Sequence, residues 1–136
     1  MMRAVFLDLD GTLTDSGEGI VKSVDYALGK LDLPALSGDT NWIIGPPLWD
    51  SFSQLGVPED ELEHAVAFYR ERYSKTGYLE NRLYDGILQQ LSDLRDAGYL
   101  MYLATAKPIG YAAKITAHFG ISNYLTDQFG SEEDGT

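Results

Sequence analysis

The chain has 136 residues, 44% of them apolar and 23% charged, the length and balance of an ordinary globular domain rather than of a disordered segment. Its 21 acidic against 10 basic residues leave a formal net charge of −11, which repels phosphate backbones and argues against nucleic acid as a partner. With no cysteine, disulfides, zinc thiolates and thiol nucleophiles are excluded; no apolar run is long enough to span a bilayer and no signal-peptide pattern opens the chain, so a soluble, cytoplasmic protein with no membrane partner is expected.

Ala4 to Leu7 is a short apolar run that reads as a strand buried on both faces. It leads into Asp8 and Asp10, after which Gly11 opens a tight turn. Residues 17–31 place Ile20, Val21, Val24, Ala27, Leu28 and Leu31 at helical spacing. Residues 32–40 read as a loop with a helix cap at Asp39 or Thr40. A short helical piece follows, broken by Gly45-Pro46-Pro47, and residues 48–55 resume helical spacing up to Gly56. Pro58-Glu59-Asp60-Glu61 is a helix start with acids in its first turn, and that helix is expected to run to about Ser74. Residues 85–97 predict an amphipathic helix closed by Gly98, Tyr99–Ala104 a second buried strand, and residues 109–118 a helix ended by Gly120. The polar tail SEEDGT reads as frayed. Strand, several helices, then strand–helix–strand is the order of an α/β core with a helical insertion after its first strand. Ligands of such sheets gather beyond the carboxyl ends of the strands. Asp8–Thr12 and Thr105–Lys107 both fall at such ends and are expected to meet in space.

Two ionised carboxylates held close oppose one another unless a cation lies between them. Mg²⁺, with its preference for hard oxygens and for help from a phosphate, suits such a pair. Gly11 permits close backbone approach, turn amides can form an anion nest, and Thr12 adds a hydroxyl. One carboxylate can then attack phosphorus while the other handles protons. An Asp-Gly turn taken alone is an ordinary turn or helix cap. An EF-hand loop does not fit, because its sixth position would be Leu13 and its twelfth Gly19.

The string VFLDLDGTLTDS resembles the first motif, DxDGTLxDS, of the haloacid dehalogenase superfamily of phosphohydrolases. LATAKP at 103–108 resembles its second motif, and YDGILQQLSDLRDAGYLMYLATAKP is similar to the phosphoglycolate-phosphatase-like branch. The resemblance implies a Rossmann-like parallel sheet with helices on both faces, built from 1–14 and 83–136, and an inserted helical cap over 15–82. It implies a Mg²⁺-dependent phosphatase of a small phosphorylated metabolite that works through an aspartyl-phosphate. Asp8 would be the nucleophile and Asp10 the general acid/base. Mg²⁺ would sit on the Asp8 carboxylate and the Asp10 carbonyl. Gly11, Thr12, Thr105, Ala106 and Lys107 would receive the phosphate. Gly45 and Pro46, in IIGPPL, resemble a cap loop that reaches toward substrate; a plain helix break is the other reading of the same residues. Competing functions are a phosphomutase and a non-catalytic phosphate-binding or interaction fragment. A dehalogenase would not need Asp10. Arg70, Arg72 and Lys75 are read as a solvated charged face, and His64 and His118 as structural. The family's later lysine and its acidic GDxxxD motif have no counterpart after Phe129. The core is therefore read as incomplete at its C-terminal side, with Ala4–Leu7 as a bare apolar edge and Lys107 as a partial stand-in for the lysine. Neither the ester nor the oligomeric state can be read from these residues.

Overall fold

In the computed structural model, which describes residues 3–132, the elements run β1 (Arg3–Leu7), β2 (Thr14–Asp15), α1 (Gly17–Lys30), α2 (Leu48–Gln54), α3 (Leu62–Tyr73), β3 (Arg82–Leu83), α4 (Ile87–Asp96), β4 (Tyr99–Pro108), α5 (Ile109–Phe119) and β5 (Asp127–Ser131). Single 3₁₀ turns punctuate the helices at Asn41–Ile43, Glu59–Glu61, Gly77–Leu79 and Ile121–Tyr124. The chain divides into two compact units, Met1–Asp15 with Arg82–Thr136, and Ser16–Asn81.

The first unit is built on a parallel sheet in the order β1-β4-β5. β1 runs beside β4 from Arg3↔Tyr99 to Leu7↔Leu103, and β4 beside β5 from Tyr102↔Asp127 to Ala104↔Phe129. Helices α4 and α5 pack on β4, where Met101 and Leu103 are buried along with Leu91, Ala112 and Ile115. Successive strand residues point to opposite faces. On the other face Phe6, Tyr102 and Phe129 stack across all three strands, at centroid separations of 5.3 and 6.3 Å. Phe6 is 65% and Phe129 50% exposed. β1 is thus not buried on both faces, as its apolar run predicts. A continuous apolar run shows that a strand can be covered on both sides, not that both covers are present among the described residues. A two-residue antiparallel ladder, β2 with β3, pairs Asp15 with Arg82 and sets Arg82 Nη2 at 3.2 Å from Asp15 Oδ2.

In the Ser16–Asn81 unit α1 packs on α3. The apolar stripe of α1 (Ile20, Val24, Ala27, Leu28) meets Ala65, Val66, Tyr69 and Tyr73, and Phe52 and Ile43 complete the core. Gly19 lies against the chain at Gly77–Glu80. Its N–H donates to the Glu80 carbonyl at 3.1 Å, and a Cβ there would overlap the Gly77 carbonyl oxygen. Arg72 is half-buried rather than part of a solvated face. It forms two bonds to the Glu80 carboxylate, at 2.6 and 3.1 Å, and one to Ser23 Oγ at 3.3 Å. The Arg72 guanidinium, hydrogen-bonded to Glu80, holds that carboxyl below the ordinary carboxylate range.

Candidate active site

The parallel register places Asp8, one residue past Leu7, and Thr105, two past Leu103, just beyond the last β1–β4 pair, Leu7↔Leu103. Asp8 is exposed, and its Oδ1 accepts the N–H of Leu9 at 2.7 Å. The turn that follows is wound around the Leu9 carbonyl, which receives the N–H groups of Thr12, Leu13 and Thr14 at 3.2, 2.9 and 3.1 Å. Gly11, at φ +79°, donates its own N–H to the Thr14 carbonyl at 2.8 Å. The anion nest expected from these amides is therefore closed: the N–H groups of Gly11 and Thr12 are directed into the turn. The hydroxyl belongs to an exposed Thr12, and no atom lies within 4 Å of where a Gly11 Cβ would stand.

Asp10 is the less exposed member of the pair, with its side chain 14% exposed. Its Oδ2 stands 3.2 Å from Lys107 Nζ, and the Lys107 side chain is 7% exposed. Its Oδ1 is buried with no hydrogen-bond partner among the described residues. Thr105 Oγ1 accepts the backbone N–H of Lys107 at 3.1 Å. The β4–β5 ladder slips here, from Ala104↔Phe129 to Pro108↔Ser131, so Thr105, Ala106 and Lys107 stand outside regular pairing. Gly130 permits the slip: a Cβ on it would lie 2.7 Å from the Lys107 carbonyl oxygen and 3.0 Å from Ile109 Cα.

Sequence reasoning places Lys107 beside Thr105 but does not pair it with Asp10. The available signal is a lysine at one strand end facing a carboxylate-rich strand end in an acidic chain. Gly130 carries no signal of its own in the sequence. Gly45 and Pro46 belong to the Ser16–Asn81 unit, between the Asn41–Ile43 turn and α2, and both are exposed. His64 sits 3.1 Å from Glu61, and the His118 ring meets Phe119 edge-on. No group of three or more His, Cys, Asp or Glu residues is placed to hold a metal ion among the described residues. The donors present, the Asp8 carboxylate and the Asp10 main-chain carbonyl among them, are the hard oxygens that Mg²⁺ selects.

Fold and strand-end chemistry together define a Rossmann-like α/β protein with a carboxylate pair at the carboxyl edge of its parallel sheet. The family model for haloacid dehalogenase-like hydrolases matches residues 5–133, and the chain belongs to that family. It is 44% identical over 135 residues to a 5'-nucleotidase of Pseudomonas aeruginosa, covering 97% of this chain and 61% of that protein. It is 41% identical to the tyrosine-protein kinase PtkA of Mycobacterium tuberculosis, covering 98% of this chain and 46% of that one. Similarity to phosphoglycolate phosphatases, 28% identity for that of Vibrio parahaemolyticus over 96% of this chain and 62% of that one, places it in the phosphoglycolate-phosphatase-like branch. Among solved structures, a predicted phosphatase of Clostridium acetobutylicum superposes with a TM-score of 0.91 at 40% identity, over 98% of this chain and 63% of that one. The chain thus spans between about half and three fifths of the length of these relatives.

Proposed function

We propose that the protein is a phosphatase of a small phosphorylated metabolite, with Asp8 as nucleophile and Asp10 as proton carrier. The observation that carries this reading is the pairing of an exposed carboxylate at the end of β1 with a second, half-buried one two residues on that Lys107 holds. An Asp8 carboxylate oxygen bonds to phosphorus as the bond to the leaving oxygen breaks, and Asp10 gives that oxygen its proton. A water then loses a proton to Asp10 as it bonds to phosphorus, the Asp8–phosphorus link breaks, and inorganic phosphate departs. The Thr12 and Thr105 hydroxyls, with the Ala106 backbone between regular pairings, are the groups assigned to the phosphoryl oxygens. The Asp8 carboxylate and the Asp10 main-chain carbonyl would hold Mg²⁺, which when bound neutralises phosphoryl charge. The Ser16–Asn81 unit is read as the cap, with Gly45 and Pro46 as its substrate loop. The 5'-nucleotidase relative favours a nucleoside monophosphate among the candidate esters. No helix among the described residues is long and apolar enough to cross a membrane, and a cytoplasmic setting fits such substrates.

Phosphate release from p-nitrophenyl phosphate with Mg²⁺ tests the reading. Asp8→Asn is expected to lose roughly 10⁴-fold or more, because a covalent nucleophile has no substitute. Beryllium fluoride, which mimics an aspartyl-phosphate, is expected to bind the wild type and not the variant. Turnover of Asp8→Asn above a few per cent of wild type would overturn the assignment.

A further inference from the structure

Lys107 stands out in the site because its side chain is largely enclosed, 7% exposed. A lysine gives up strong hydration and a flexible four-carbon stem when it is enclosed, and lysines are almost never enclosed without a partner. Here one partner is Asp10 Oδ2, at 3.2 Å. The backbone is shaped for this contact in two ways. Thr105 Oγ1 ties down the Lys107 N–H at 3.1 Å, and the ladder slip across from Gly130 takes the residue out of the regular strand pleat. Such irregularities re-aim side chains. The two oxygens of Asp10 therefore differ: Oδ2 is held by a cation, whereas Oδ1 is buried and has no hydrogen-bond partner among the described residues.

Resting on the phosphatase reading, we propose that Lys107 is a positioning residue for Asp10 rather than primarily a phosphate ligand. By fixing Oδ2 it locks the rotamer of Asp10 and makes Oδ1 the oxygen that exchanges a proton with the reacting oxygen. In the first step the proton leaves Asp10 Oδ1 for the departing oxygen as the ester P–O bond breaks. In the second, Oδ1 takes a proton from the attacking water as the Asp8–phosphorus link breaks. Lys107 gives and takes no proton in either step.

The two roles of Lys107 separate in kinetics. Wild type, Lys107→Met, Lys107→Arg, Asp10→Asn and the Lys107→Met/Asp10→Asn double variant are compared on phenyl phosphate, with inorganic phosphate as competitive inhibitor and Asp8→Asn as the control for the chemistry. A misaligned proton carrier is expected to lower kcat of Lys107→Met about 10–100-fold. The inhibition constant for inorganic phosphate is expected to stay within about threefold of wild type. Lys107→Arg, which restores a cation at the same place, is expected to recover part of kcat. The double variant is expected to be no slower than Asp10→Asn alone, since groups that act as one unit are not additive. A phosphate inhibition constant raised more than about tenfold with kcat kept would make Lys107 a phosphate ligand and overturn the proposal. So would losses that multiply in the double variant. If Asp8→Asn keeps turnover, the phosphatase reading itself fails. If Asp8→Asn is dead while Lys107 and Asp10 act independently, only the role of Lys107 is wrong.

Discussion

Alanine is the better helix former, by about 1 kcal/mol over glycine, so Gly19→Ala in α1 would be expected to stabilise the protein if helix propensity decided. The packing at Gly19 reverses that sign. The added methyl would overlap the Gly77 carbonyl oxygen and lie 2.8 Å from the Gly77 carbonyl carbon and 3.2 Å from the Glu80 oxygen. All three are backbone atoms, so no side chain can rotate away, and α1 must part from the Gly77–Glu80 segment. Overpacking of this kind costs about 1–3 kcal/mol. Parting also weakens the 3.1 Å bond from Gly19 N–H to the Glu80 carbonyl, a further loss of about 1 kcal/mol. Against the propensity gain, the net expectation is a loss of about 1–3 kcal/mol. Gly29, in the last turn of the same helix, has nothing within 4 Å of where an added methyl would stand, so Gly29→Ala is expected to gain up to about 1 kcal/mol. Urea unfolding followed by circular dichroism compares the two directly. With a slope of about 2 kcal/mol per molar, the midpoint falls by roughly 0.5–1.5 M for Gly19→Ala and rises slightly for Gly29→Ala. Shifts of the same sign would refute the reasoning.

Asp10→Asn is expected to lose roughly 10²–10⁴-fold on an alkyl phosphate and much less on p-nitrophenyl phosphate, whose leaving group needs no proton; equal losses would remove Asp10 from proton transfer. The Glu80 carboxyl, lowered by its hydrogen bonds from Arg72, contributes stability that is fully present above its ordinary 4.5 and is lost as pH falls through its lower folded value. Glu80→Gln is expected to cost about 1–2 kcal/mol at neutral pH and to flatten that acid limb, so thermal melts with an unchanged acid limb would contradict the assignment. Phe6→Ser removes a ring that is 65% exposed at the sheet's edge strand. It is expected to reduce self-association in sedimentation at a stability cost under about 1 kcal/mol, and sedimentation unchanged from wild type would show that this face is not what associates.

The helices are legible because their apolar residues recur at a period set by the helix itself: Ile20, Val24, Ala27 and Leu28 mark α1 whatever surrounds it. Strand burial is less legible, since Ala4–Leu7 reads alike with one face covered or two. The β2–β3 ladder is two residues a side, too short for any period to show. β4 continues through Thr105 to Pro108, beyond the expected end at Ala104, because its pairing resumes past the slip opposite Gly130. The strand-end carboxylates and Thr105 stand out in the sequence as chemistry-bearing residues at apolar run ends. The ion pair between Asp10 and Lys107 does not, because no spacing rule links positions so far apart, and only the parallel register of β1 on β4 brings them together.

That register also bears on how the protein reaches its fold. Arg3 and Tyr99, which touch at the start of the β1–β4 pair, are 96 positions apart in the chain. During synthesis Asp8 and its turn emerge long before the strand that will seat them, and β1 has no other sheet partner among the described residues. Closing so long a loop directly is entropically costly and slow. The contacts of the Ser16–Asn81 unit are largely its own, so it can condense first. The Asp15–Arg82 ladder then joins the two chain ends that flank it, and what remains between β1 and β4 is a short connection on each side of a junction already made. In that order of events the small β2–β3 ladder acts as a kinetic clasp, more important to the rate of assembly than its two residues a side contribute to the finished sheet.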